Sequence, residues 1–163
     1  MLYPAGIFKC ECDIAHFLNR LKQGPLPWGH LDVETALVWV QQHLQIQLAP
    51  LQQEAVKTAL SSKCTIITGG PGTGKTTLTR AILRILHANH LKIILCSPTG
   101  RAAKRLSEVT GQEAKTIHRL LGFDRKKGGF LHDKDNPLDV DLLLFDEASM
   151  VDLPTMYRLV THI

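Results

Sequence analysis

Gly69-Gly70-Pro71-Gly72-Thr73-Gly74-Lys75-Thr76 is the stretch whose reading decides the fold. It satisfies G-x-x-x-x-G-K-T at every fixed position, and its surroundings agree with it. A short apolar, β-branched run over residues 64–68 enters it, which predicts a strand. Leu78, Ala81, Ile82, Ile85 and Leu86 recur at helical spacing after it, which predicts a helix. The residue types have separate reasons. Glycines let the backbone curl so that successive N–H groups point inward at phosphate oxygens. The helix that follows adds the positive end of its dipole. Lys75 reaches β- and γ-phosphates as a point charge, and the Thr76 hydroxyl is a ligand for Mg²⁺. Gly69, Gly70, Pro71, Gly72, Thr73, Gly74, Lys75, Thr76 and the adjoining Thr77 are therefore the expected nucleotide-binding residues, with ATP and Mg²⁺ as cofactors.

A second element lies about seventy residues downstream. Residues 141–146 form a Leu-rich run that ends in Leu144-Phe145-Asp146-Glu147, the form of a buried strand finishing in an acidic pair. Asp146 is expected to hold Mg²⁺ opposite Thr76, and Glu147 to orient the water that attacks the γ-phosphate. Alone, an Asp-Glu pair is a common strand ending. With a phosphate loop upstream, it turns a binding site into one for hydrolysis, with Lys75 and Glu147 as the catalytic residues.

Around these motifs the pattern alternates. Helical spacing appears at Cys10, Ile14, Phe17, Leu18 and Leu21, and again at Val33, Ala36, Leu37, Val40 and Leu44 with Asp32 as N-cap. These predict a helical appendage over residues 1–47, ahead of an ATP-binding domain over 48–163. A third helix starts near Pro50. Residues 92–96 read as a strand, residues 100–109 as a basic helix, 115–121 as a short helix, 122–139 as a hairpin or loop excursion, and a last helix follows Asp152, its expected N-cap. Strands alternating with helices, and apolar throughout, indicate an α/β fold with a parallel sheet.

Of the 163 residues, 44% are hydrophobic and 21% charged, which excludes wholesale disorder. No apolar run approaches the roughly 20 residues of a membrane span, and the first residues do not follow a secretory pattern. The expectation is a soluble, cytoplasmic protein with no membrane partner. Cys10, Cys12, Cys64 and Cys96 form no C-x-x-C pair, so reduced thiols outweigh a metal site built from Cys10, Cys12 and His16. The net charge of +4 is uneven. Residues 97–127 carry eight basic side chains against three acidic, and residues 133–152 carry seven acidic against one basic. The basic stretch suits either a polyanion such as nucleic acid or a solvated helix face.

In combination the motifs resemble one family. GGPGTGKTT (69–77), CSPTGRAAKRL (96–106), AKTIHRLLGF (114–123) and FDEASMVDLP (145–154) are similar to RecD/TraA-type superfamily 1 DNA helicases. That group includes the alpha subunit of exodeoxyribonuclease V, and FKCECDIAHFL (8–18) and LAPLQQEAV (48–56) resemble its segments ahead of the loop. The resemblance implies a RecA-like P-loop fold and an ATP-dependent motor on single-stranded DNA, with other subunits of a nuclease-helicase complex as further partners. It makes Gln52 the adenine-reading glutamine, with Gln53 as its adjacent competitor. It places Pro98, Thr99, Gly100 and Arg101, then Thr116, His118 and Arg119, on the DNA backbone, where hydroxyls, amides and Arg suit phosphates without reading sequence. Thr99 as a helix cap and His118 as a core histidine are the plainer alternatives. Ala49 departs from the expected Ser or Thr cap.

In the family a strand after the Asp-Glu pair lies between that pair's strand and the phosphate-loop strand. This sequence offers no such segment, no G-D-x-x-Q motif and no second motor domain. The expectation is therefore a fragment of a longer helicase, incomplete in its central sheet, binding nucleotide weakly and not competent to unwind. A P-loop kinase and a non-catalytic nucleotide-holding switch are the alternatives.

Overall fold

The computed structural model describes residues 4–124, 129–132 and 136–163. Its elements, in chain order, are α1 (Ala5–Lys22), α2 (Val33–Leu44), α3 (Pro50–Ser61), α4 (Lys75–His87), β1 (Ile93–Ser97), α5 (Gly100–Thr110), β2 (Ala114–Thr116), α6 (Ile117–Leu120), β3 (Phe123–Asp124), β4 (Gly129–Phe130), β5 (Leu142–Phe145) and α7 (Leu153–Thr161). They group into two compact units: Leu21–Leu91, and Met1–Arg20 with Lys92–Ile163.

The first unit packs α2 against α3 and α4. Its buried side chains include Leu37, Val40, Leu48, Val56 and Leu60, together with Leu78, Ala81, Ile82, Leu83, Ile85 and Leu86 of α4. The helices start and stop where their ends are satisfied. Asp32 caps α2, accepting from Thr35 N at 3.2 Å and from the Thr35 hydroxyl at 2.7 Å. Trp28 Nε1 donates to the carbonyl of Leu60 at 2.8 Å, taking up one of the orphan acceptors at the end of α3. Lys57 and Glu34 pair across α3 and α2. Residues 21–47 thus pack in one unit with α3 and α4.

The second unit holds a parallel three-stranded sheet in the order β2-β1-β5. Ser97 lies opposite Thr116, and Cys96 opposite Phe145. Beneath it Cys96, Ile117, Leu120, Leu121, Leu138 and Leu159 form the core. Burial pushes the Cys96 thiol up to about 12, so it stays an inert core group. The parallel α/β architecture expected from the alternating pattern is present, and so is a hairpin, with Phe123 opposite Phe130. Arg125, Lys126 and Lys127 lie outside the described residues.

Two expectations need correction. Residues 64–68 form no strand, although their β-branched composition favours one. A strand is stabilised by its ladder, and among the described residues no strand offers one to this segment. Ile66 is accordingly 84% exposed. Residues 115–121 are not a single short helix. Ala114–Thr116 pairs with β1, and the helix begins only at Ile117, where the Thr116 hydroxyl caps it by accepting from Arg119 N at 3.3 Å. The period over three residues was too short to reveal the strand.

Asp152 starts α7 by accepting from Thr155 N at 2.7 Å. That bond, made by the ionised carboxylate, holds Asp152 below the ordinary carboxylate value. A depressed folded-state value contributes stability above the unfolded value, and the contribution disappears as pH falls through the folded one. Asp152→Ala is expected to cost about 1 kcal/mol at neutral pH. In urea titrations across pH, the gap between parent and variant should close below about pH 4. A gap unchanged in acid would remove Asp152 as the cap.

Candidate functional site

In the first unit the phosphate loop is built around the start of α4. Gly74, the residue before Lys75, has φ +82°, and Gly72 has φ +74°, left-handed values that a side chain would strain. These two turns leave Lys75, Thr76 and Thr77 in the first turn of α4, whose leading N–H groups have no intrahelical acceptor. Inside the loop Thr73 Oγ1 donates to Gly70 O at 2.9 Å. The Lys75 ammonium donates to Gly70 O at 2.7 Å and to Gly69 O. Two neutral carbonyls thus hold the cation that a phosphate oxyanion would attract more strongly. Lys75 and Thr76 are exposed, and Gly69, Gly70, Pro71, Gly72 and Thr73 form an open rim.

Gln52 stands beside this loop. Its Oε1 accepts from Ala49 N at 2.9 Å and its Nε2 donates to Thr73 O at 3.1 Å. Gln53, its neighbour in sequence, donates instead to Leu48 O at 2.8 Å. The structure thus separates two glutamines that the sequence left as competitors, and it gives Ala49, which has no capping side chain, a substitute cap.

The other residues lie in the second unit, at the carboxyl ends of its parallel strands. Asp146 continues β5, donating its N–H to Cys96 O at 3.0 Å, and its Oδ1 accepts from Glu147 N at 3.0 Å. Glu147 has φ +56°, ψ +42°, a left-handed conformation unusual for a residue with a side chain. Both carboxylates are exposed. From the end of β1 come Pro98 and Thr99, then Gly100 and Arg101 in the first turn of α5. Thr99 caps α5 by accepting from Ala102 N at 3.2 Å. From the end of β2 come Thr116, His118 and Arg119. His118 is exposed and not a core histidine, and Arg119 lies 3.9 Å from Glu113. Because β1 and β2 are neighbours in register, both segments expected on DNA leave the same edge of one sheet.

Sequence reasoning missed the surroundings of His118. Its ring lies 6.0 Å from Phe123 and 6.2 Å from Phe130, and the Arg158 guanidinium stands 4.8 Å over Phe130. The contact arises where the β3–β4 hairpin packs on α6, which no periodicity in the sequence reports. Among the described residues no group of three or more His, Cys, Asp or Glu is placed to hold a metal. On α1, Cys10 is half-buried and Cys12 exposed. The hard oxygens of Thr76 and Asp146 are of the kind Mg²⁺ takes.

Strain of this kind at Glu147 is a cost that persists where surrounding structure or function holds it. Left-handed backbone costs about 1–2 kcal/mol with a Cβ and little without one. Glu147→Gly should therefore match or exceed Glu147→Ala in stability by up to about 1 kcal/mol, reversing the usual order of the two residues. Chemical denaturation of both variants checks this, and an alanine variant clearly more stable than the glycine variant would contradict it.

The chain is similar to known proteins over most of its length. The family model described as AAA domain matches residues 52–163. The chain is 40% identical over 162 residues to the ATP-dependent RecD2 DNA helicase of Deinococcus radiodurans, covering 99% of this chain and 22% of that protein. It is 39% identical over 133 residues to the RecBCD enzyme subunit RecD of Haemophilus influenzae, covering 67% and 21%. The corresponding subunit of Buchnera aphidicola subsp. Schizaphis graminum is 37% identical over 181 residues, covering 98% and 29%. The chain therefore spans between about a fifth and a third of the length of these relatives.

Proposed function

Because the chain belongs to the AAA domain family over residues 52–163, we propose that it is the ATP-binding and ATP-hydrolysing part of a helicase motor that moves along single-stranded DNA. The observation that carries this is the complete G-x-x-x-x-G-K-T loop, seated on the first turn of α4 with left-handed turns at Gly72 and Gly74. Similarity to RecD-type helicases over nearly the whole chain supports the motor class.

In this proposal the backbone N–H groups between residues 69 and 77, Pro71 having none, cradle the phosphates, and Lys75 exchanges its two carbonyl acceptors for phosphate oxygens. Thr76 and Asp146 would hold Mg²⁺, which would supply charge neutralisation at the phosphates. Glu147 orients the attacking water and accepts its proton. Gln52 has one N–H and one lone pair left after its two protein bonds, enough to meet an adenine edge. Pro98, Thr99, Gly100 and Arg101, with Thr116, His118 and Arg119, grip the strand's phosphates from one sheet edge. The rings beside His118 suit unpaired bases, because stacking on them is tolerant of sequence. That the acidic pair and the loop serve one nucleotide rests on the sequence match. The full-length protein would act in the cytoplasm, alone or in a nuclease-helicase complex of the kind named in its relatives.

The test is phosphate release by the full-length protein with and without single-stranded DNA. Hydrolysis stimulated by DNA is expected, with Lys75→Ala abolishing it. Glu147→Gln should lower kcat by about 100-fold or more while ATP still binds. Hydrolysis indifferent to DNA, with phosphate passed to an added nucleotide, would replace the helicase by a kinase. A Glu147→Gln rate equal to the parent's would leave only a nucleotide-holding switch.

A further inference from the structure

The contacts of Gln52 point to a role separate from nucleobase recognition. We infer that Gln52 is a positioning residue for the phosphate loop, a strut between the start of α3 and the peptide of Thr73. The inference rests on the proposal that residues 69–76 bind phosphate, and it concerns what keeps that loop in shape.

The partners fix which way the amide points. Ala49 N can only donate, so it faces Oε1. Thr73 O can only accept, so it faces Nε2. The same side chain is therefore committed at both ends to backbone. It also rests on Gly74: a Cβ built there would lie 2.4 Å from Gln52 Nε2. Gly74 is thus confined twice, by its φ of +82° and by the amide beside it. Thr73 is the hinge of the arrangement. Its carbonyl takes the strut, and its hydroxyl closes back on Gly70 O at 2.9 Å. Holding the carbonyl of Thr73 outward, on Gln52, turns the peptide between Thr73 and Gly74 so that its N–H points the other way, because C=O and N–H of one peptide oppose each other. The loop's phosphate-facing amide is preset from the side opposite the ligand. Preorganisation of this sort raises affinity by removing an ordering cost at binding.

The strut acts on the phosphate part of a ligand, and an adenine reader acts on the base. Inorganic tripolyphosphate separates them, having no base. Titration calorimetry of the parent chain and Gln52→Ala with ADP and with tripolyphosphate is the measurement. Loss of one hydrogen bond that orders the loop should raise the Kd of tripolyphosphate by about three- to tenfold. ADP should weaken by at least the same factor.

Gln52→Ala also removes the cap of α3, so a second variant isolates the effect. Ala49→Ser added to Gln52→Ala supplies a hydroxyl cap to the helix without reaching Thr73. Melting of the unliganded double variant should return towards the parent while tripolyphosphate affinity stays low. An unchanged Kd for tripolyphosphate in Gln52→Ala, with ADP alone weakened, would overturn the strut and leave base recognition. Recovery of tripolyphosphate affinity in the double variant would also overturn it, showing helix stability to be the whole effect. A parent chain that binds neither ligand would defeat the phosphate-binding proposal, and the strut with it.

Discussion

The left-handed turns at Gly72 and Gly74 are the constraint from which the rest of the site follows. They bring the loop back onto the start of α4, where the first N–H groups of a helix have no acceptor of their own. An anion is the natural partner for such a turn, and Lys75 adds a full positive charge to the dipole of the helix. Around that backbone the side chains are economical. Thr73 bonds within the loop, Lys75 rests on Gly69 and Gly70, and Gln52 braces the loop from α3. None of these contacts needs a large apolar core beside the loop. The burial of Leu78, Ala81, Ile82, Ile85 and Leu86 instead anchors α4, and the loop is fixed to its end.

The second unit solves a different problem. In a parallel sheet every strand ends on the same side, so the residues that follow β1, β2 and β5 gather at one edge. That topology brings Pro98, Thr99, Thr116, His118, Asp146 and Glu147 to one margin, although they span fifty positions of sequence. Helix capping and the proposed DNA contacts fall on the same residues there. Thr99 and Thr116 each spend a lone pair on a helix N-terminus, yet each hydroxyl can still donate its proton outward. Glu147 differs from both: it follows β5 with a left-handed backbone and an exposed side chain.

Much of this was legible in the chain, for identifiable reasons. The loop was readable because its function fixes backbone shape, and backbone shape fixes glycine. Asp32 and Asp152 were readable as caps because the cap bond spans only three residues. The C-terminal half of α4 and the strands β1 and β5 were readable from apolar periodicity. Residues 64–68 failed because a strand is a property of a pair, and composition says nothing of the partner. β2 failed because three residues carry no period. The two glutamines at 52 and 53 could not be ranked by pattern, since each is a polar helix residue; only the carbonyls they reach, Thr73 and Leu48, tell them apart. The rings of Phe123 and Phe130 beside His118 were hidden because the packing of the β3–β4 hairpin on α6 leaves no periodic trace.

On the strength of the sequence match, we propose that Thr76 and Asp146 would both be ligands to one Mg²⁺ on one nucleotide. The most direct measurement is the gain in ATP affinity on adding Mg²⁺, for the parent, Thr76→Ala, Asp146→Ala and the double variant. A shared ion couples the two residues, so each single variant should lose most of the gain and the double variant little more than either. Losses that simply add, or a gain that survives in Asp146→Ala, would contradict the account.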